Sequence, residues 1–249
     1  MTASLSMEPA LSVRAPRTAG APVRRGPPGR RGPMPSAGWL IAGALLVALA
    51  VRTIIVEPFA IPSRSMAPML EAGDLIIVNK MAYGWSAASL PRIFPISVDG
   101  RDRLAGRAPR HGDVVVFTGA YGRDYVKRVI GRDGDRVALL GGTLMLNGRP
   151  IPCEPAGDGH CLETLPGGKA QLIRIGSSGP LADMAEIIVP QGHYFVLGDN
   201  RATSADSRLS VADGGVGLVP HALLLGRAER IVFSARDGIR WPRIGLGID

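Results

Sequence analysis

Residues 37–56 are apolar almost without interruption, from Ala37-Gly38-Trp39-Leu40-Ile41 through Leu45-Leu46-Val47 to Ile54-Ile55-Val56, and Arg52 alone breaks the run. About 20 residues at ~1.5 Å each reach across the ~30 Å hydrocarbon core of a bilayer, so the run predicts one transmembrane helix. Arg52 stands near one end, where its long stem reaches the interface. The 36 residues before the run hold seven prolines, and Arg14, Arg17, Arg24, Arg25, Arg30 and Arg31 against the single acid Glu8. Too little is apolar there to offset the loss of chain entropy, so residues 1–36 read as a disordered tail. A basic flank stays cytoplasmic, which puts residues 57–249 on the extracytoplasmic face of the plasma membrane. The competing reading is a cleaved signal peptide, because Ala48-Leu49-Ala50 has the small-x-small form of a cleavage site. The apolar stretch continuing past Ala50 and the long basic region favour an uncleaved anchor. Whether the chain is cut after Ala50 is decided by N-terminal sequencing.

The net charge of +8 is carried almost wholly by arginine, and much of it lies in the tail. No helix-turn-helix, zinc-finger or RNA-binding signature accompanies it, which argues against nucleic acid as a partner. The two cysteines, Cys153 and Cys161, fit no zinc spacing. In an oxidising compartment they are expected to close a small loop as a disulfide; in cytosol they would be two thiols.

Beyond Phe59 the chain reads as short β-branched runs bounded by Gly and Asp. These are 74–78, 113–117, 125–130, 136–140, 185–189, 193–197 and 228–233, with an Asn147-Gly148 hairpin signal between further apolar residues. The expectation is a mainly β domain of antiparallel strands behind one N-terminal transmembrane helix. Residues 83–110 and 153–184 read as loops or inserts.

Chemistry has few carriers here. Ser63 and Ser65 sit between Pro62 and Pro68, and proline stiffens the segment. Stiffness suits a hydroxyl held for attack, although a Pro/Ser linker would look the same. His111, His160, His193 and His221 have no carboxylate pattern beside them, there is no G-x-S-x-G elbow and no S-x-x-K motif, so they read as surface or strand-end residues. Lysine is the alternative base. Lys127 lies within Tyr125-Val126-Lys127-Arg128-Val129-Ile130, and alternation puts Tyr125, Lys127 and Val129 on one face. If that face is buried, desolvation lowers the amine's pKa and lets it take a serine proton; a solvated strand lysine is the commoner case. Lys80 and Lys169, the remaining lysines, lack an apolar bracket and read as solvated. A third cluster, residues 197–208, mixes hydroxyls, acids and arginines: Asp206 can pair with Arg208 or Arg128, and Ser204 can orient a lysine amine.

These pieces together resemble the bacterial type I signal peptidases, membrane-anchored Ser/Lys endopeptidases. The resemblance runs from about Glu57 to Phe233 in family order. It is carried by Pro62-Ser63-Arg64-Ser65-Met66-Ala67-Pro68, Gly73-Asp74-Leu75-Ile76-Ile77-Val78, Gly112-Asp113-Val114-Val115-Val116-Phe117 and Tyr125-Val126-Lys127-Arg128. Gly198-Asp199-Asn200-Arg201 and Ser204-Ala205-Asp206-Ser207-Arg208 complete it. It implies Ser65 as nucleophile and Lys127 as general base, with Ser204 bonded to the lysine amine. It also implies an oxyanion hole from Ser63 and the Ser65 amide, and bracing by Asp206, Arg208 and Arg128. Pockets for small substrate side chains would be shaped by Phe59, Ile61, Met66, Leu70, Ile76, Val116, Tyr125 and Val126. The implied activity is removal of signal peptides after A-x-A from exported preproteins, by a monomer in contact with membrane lipids and without metal or cofactor. A processing peptidase dedicated to one substrate, such as a pilin, and a non-enzymatic membrane-tethered β-domain are the rival readings. Arg64, where the family often has Gly, Met69, where it often has Thr, and the inserted stretch 209–215 depart from the pattern.

Overall fold

The computed structural model describes residues 37–84, 106–168, 170–175 and 181–248. The predicted tail, most of the expected 83–110 insert and Lys169 lie outside them. Two compact units divide the chain, Met1–Ile41 and Ala42–Asp249. All the strands belong to the second, whereas the helix α1, Ala37–Ile54, begins in the first. At ~1.5 Å per residue its 18 residues extend about 27 Å. Among the described residues no helix is long and apolar enough to cross a membrane. The helix stops short of residue 56 because the sheet takes the last of the apolar run. The Ile55 carbonyl accepts from the Lys80 N–H, and Val56 pairs with Asn79.

The strands are β1 Val56–Ala60, β2 Asp74–Asn79, β3 Val114–Thr118, β4 Asp124–Gly131 and β5 Arg136–Leu140. There follow β6 Thr143–Leu146, β7 Arg149–Pro150, β8 Cys153–Gly157, β9 His160–Thr164 and β10 Ala170–Arg174. The last four are β11 Met184–Ile188, β12 His193–Leu197, β13 Val219–Pro220 and β14 Leu224–Ser234. They form a seven-stranded sheet in the order β1-β2-β14-β3-β4-β12-β13, a four-stranded sheet β11-β5-β6-β7 and a three-stranded sheet β10-β9-β8. Neighbouring strands in all three are antiparallel. The mainly β, antiparallel expectation therefore holds, and the predicted runs fall on strands. The 153–184 stretch is more ordered than a loop: it supplies β8, β9 and β10.

Local chemistry accounts for these elements. Asn147 and Gly148 take φ of 52° and 75°, the left-handed pair that a two-residue hairpin turn requires. In β2 burial alternates, with Asp74, Ile76 and Val78 inward. β14 reaches 11 residues because it pairs with β2 along one edge and β3 along the other, absorbing the mismatch in bulges. Three apolar clusters result, and the first matters most for function. It joins Ile61, Met66, Leu70, Ile76, Val78, Val114, Val116, Val126, Ala228, Ile231 and Ile248, with Phe59 and Met69 packed against it.

Two of the expectations for single side chains need correction. Lys80 is buried, with its Nζ 3.2 Å from Glu57 Oε2, a partner supplied by the adjacent strand β1. His111 does have an orienting carboxylate, Asp135, at 2.7 Å from its Nε2; the pair is 24 positions apart, beyond any local pattern.

Candidate active site

The segment between β1 and β2 carries both serines, and the core holds it from within. Ile61 N–H donates to the Asp74 carbonyl at 2.8 Å and Gly73 N–H donates back to Ile61 at 3.0 Å, which closes the segment at its base. Met66 and Leu70 are buried to 1 % and 0 % exposure, so the intervening backbone has apolar anchors on the core side. The Ala67-Pro68 peptide is cis. The side opposite the serines is tied to the chain's last turns: Arg243 Nη2 donates to the Met69 carbonyl and to Asp74, and Arg240 donates to Ala72 and Glu71. Arg64 is exposed.

Lys127 arrives from the middle of β4, where it stands opposite Val115 of β3. Its Nζ donates to Ser65 Oγ at 2.8 Å, although 62 positions separate them. Ser63 Oγ lies 3.3 Å from the same Ser65 oxygen. Lys127 is 3 % exposed, and burial lowers its pKa from the ordinary 10.5 to about 8. Asp206 and Asp199 oppose that shift and Arg208 adds to it. The amine is thus deprotonated far more easily than a surface lysine, at hydrogen-bond distance from a hydroxyl. That geometry and that protonation state are what a general base needs.

The loop after β12 encloses the pair. Asn200 N–H donates to the Ser65 carbonyl at 3.1 Å and its side chain donates to the Arg64 carbonyl at 3.2 Å. Gly198 has no side chain because there is no space for one: a Cβ there would collide with the Ser65 carbonyl oxygen and with Ser204 Oγ. Asp206 goes to Arg208, whose Nε reaches it at 2.8 Å, and accepts from Gly198 N–H. Arg128 goes elsewhere. Its fork closes on Asp199 at 2.8 and 2.7 Å, both side chains being all but fully buried. Ser204 is buried, but its Oγ has no hydrogen-bond partner among the described residues, so the expected bond to Lys127 is not made.

The pocket residues suggested by resemblance divide in two. Phe59, Ile61, Met66, Leu70, Ile76, Val116 and Val126 gather in the first cluster. Tyr125 instead packs with the third cluster, stacked on Phe117 at 5.7 Å, as alternation along β4 requires of Val126's neighbour. Cys153 and Cys161 are joined in a disulfide, their Cα atoms 5.4 Å apart. Among the described residues no three His, Cys, Asp or Glu side chains gather to hold a metal ion.

Sequence reasoning passed over several residues of this enclosure. Asp199 and Asn200 stand inside a motif of the resemblance that assigns them no role. Glu163, which pairs with Arg201, carries no local signal at all.

Residues 35–233 match the family described as signal peptidase, peptidase S26. Signal peptidase I of Rickettsia typhi is 34 % identical over 220 residues, covering 81 % of this chain and 80 % of that protein. Signal peptidase I of Rickettsia akari is 32 % identical over 228 residues, covering 84 % and 83 %. Among solved structures, a signal peptidase I from Enterococcus faecalis is 25 % identical and covers 49 % of this chain and 97 % of its own, with a TM-score of 0.32. The chain belongs to the signal peptidase family, peptidase S26.

Proposed function

We propose that this chain is a membrane-bound signal peptidase I, a serine endopeptidase that removes signal peptides after small residues from exported preproteins. Neutral Lys127 takes the proton of Ser65 as Oγ bonds to the scissile carbonyl carbon. The Ser63 hydroxyl and the Ser65 N–H donate to the oxyanion that forms. Collapse breaks the C–N bond, and the proton passes from Lys127 to the leaving amine. Lys127 then accepts a proton from water as its oxygen attacks the acyl carbon, and when the ester C–Oγ bond breaks the proton passes from Lys127 to Ser65 Oγ, restoring both groups. Selection for alanine-sized side chains would be made by filling space against Ile61, Met66 and Val126. The predicted apolar helix would keep this chemistry at the extracytoplasmic surface of the bilayer.

The observation that carries this reading is the 2.8 Å contact between a buried, pKa-lowered lysine and the Ser65 hydroxyl. Ser65→Ala and Lys127→Ala, assayed on a preprotein with an A-x-A site, are expected to reduce cleavage to background while thermal melts stay cooperative. Full activity in either variant refutes the mechanism. Cleavage of one substrate only, with generic preproteins untouched, would indicate a dedicated processing enzyme.

A further inference from the structure

The hairpin that the disulfide closes reaches the active site by a path that begins outside every motif of the resemblance. Glu163 lies on β9, the middle strand of its sheet, opposite Cys153 on one side and Gln171 on the other. It is 2 % exposed and forms a two-pronged pair with Arg201, Nη1 to Oε1 at 2.8 Å and Nη2 to Oε2 at 2.5 Å. Gln171 donates to the same carboxylate at 2.9 Å. Arg201 is itself buried, and its Nε donates to the Gly198 carbonyl at 3.1 Å. Its backbone N–H donates to Arg174 at the end of β10, and Arg174 N–H donates to the Asp199 carbonyl. Gly198 and Asn200 are the two residues of this loop in direct contact with the Ser65 backbone.

We infer that Glu163 is a positioning residue for Ser65 and Lys127, acting through Arg201 and the 198–201 loop. The inference rests on the Ser65–Lys127 reading above. The physical reason is geometric. A buried guanidinium whose donors are divided between one carboxylate fork and one carbonyl has a single orientation, and it passes that orientation to Gly198. The disulfide staples β8 to β9 beside Glu163, so the carboxylate is presented by a strand that cannot peel away on that side. The substrate-binding wall, made by Ile61, Met66 and Val126, lies off this path. Loss of the pair therefore bears on alignment of the reacting atoms more than on substrate binding.

The test compares the full-length wild-type chain with Glu163→Gln, Glu163→Asp and Arg201→Lys, measuring kcat and KM on one preprotein at a temperature where melts show each variant folded. Misplacement on the ångström scale remote from the chemistry lowers turnover by about 10- to 100-fold; kcat of Glu163→Gln is expected to fall about tenfold with KM within about twofold. Glu163→Asp, which keeps the charge, should recover most of it, and Arg201→Lys, which loses the fork, should resemble Glu163→Gln. Unchanged kcat in Glu163→Gln, a fall that follows only the folded fraction, or no advantage of Asp over Gln overturns the inference. Should Glu163→Gln fail to fold, the kcat and KM of Glu163→Asp and Arg201→Lys decide it by the same criterion. A wild-type chain that cleaves no preprotein refutes instead the underlying function, so the two failures are distinguishable.

Discussion

Lys127 has a protonation state that its neighbours decide. Burial makes the ammonium costly and Asp206 and Asp199 make it cheaper, leaving a pKa of about 8. At pH 7 about a tenth of the enzyme then carries a neutral amine. With the neutral form as the proposed base, kcat/KM is expected to rise about tenfold per pH unit below 8 and level off above it; a pH–rate profile that is flat from about pH 6 to 9 would contradict this. Ser63 offers a second residue-scale check. If its hydroxyl donates to the oxyanion, Ser63→Ala removes one donor, expected to cost about 3 kcal/mol, or roughly 10²-fold in kcat, with little change in KM. At this scale the sequence was informative where a motif sets the side chain and silent where a fold sets the partner. Ser65 and Lys127 were singled out by the motifs of the resemblance, since their flanks alone also fit a linker serine and a solvated strand lysine, whereas Lys80 read as solvated until Glu57 of the adjoining strand supplied its countercharge.

Elements act here by bringing short segments against each other. β4 delivers Lys127, the β1–β2 connection delivers Ser65, and the loop after β12 closes over both. Gly198 is the tightest point of that closure. Replacing it with Ala places a methyl where the Ser65 carbonyl and Ser204 already sit. Gly198→Ala is therefore expected to move the loop, cutting cleavage by about 10²-fold and destabilising the fold by about 1–3 kcal/mol. Wild-type activity with an unchanged melt would show that the loop gives way without consequence. The strands themselves were readable because period-two burial and Gly or Asp boundaries are local properties. The β8–β10 sheet escaped because β8 is exposed along its whole length, and because in β9 and β10 Glu163 and Gln171 are inward while Leu162 and Leu172 are exposed, so no apolar alternation marks them.

At the scale of the molecule, the proposed anchor would hold the proposed catalytic site close to a bilayer, which suits a substrate whose cleavage site emerges from one. The full-length chain is expected to stay in the pellet after alkaline extraction of membranes, with residues 57–249 accessible to protease only from the extracytoplasmic side. Release into the supernatant would refute the proposed anchor. What the sequence determined by itself is what depends on neighbours along the chain: the apolar run, the β-strands, the Asn147-Gly148 turn, and a serine and a lysine in settings that favour chemistry. The tertiary structure alone decided which charges meet. Arg128 takes Asp199, 71 positions away, and Arg201 reaches Glu163, 38 positions away. The reason is that a buried ion needs its countercharge within a few ångströms, and residues that far apart in sequence come that close only when the sheets have formed.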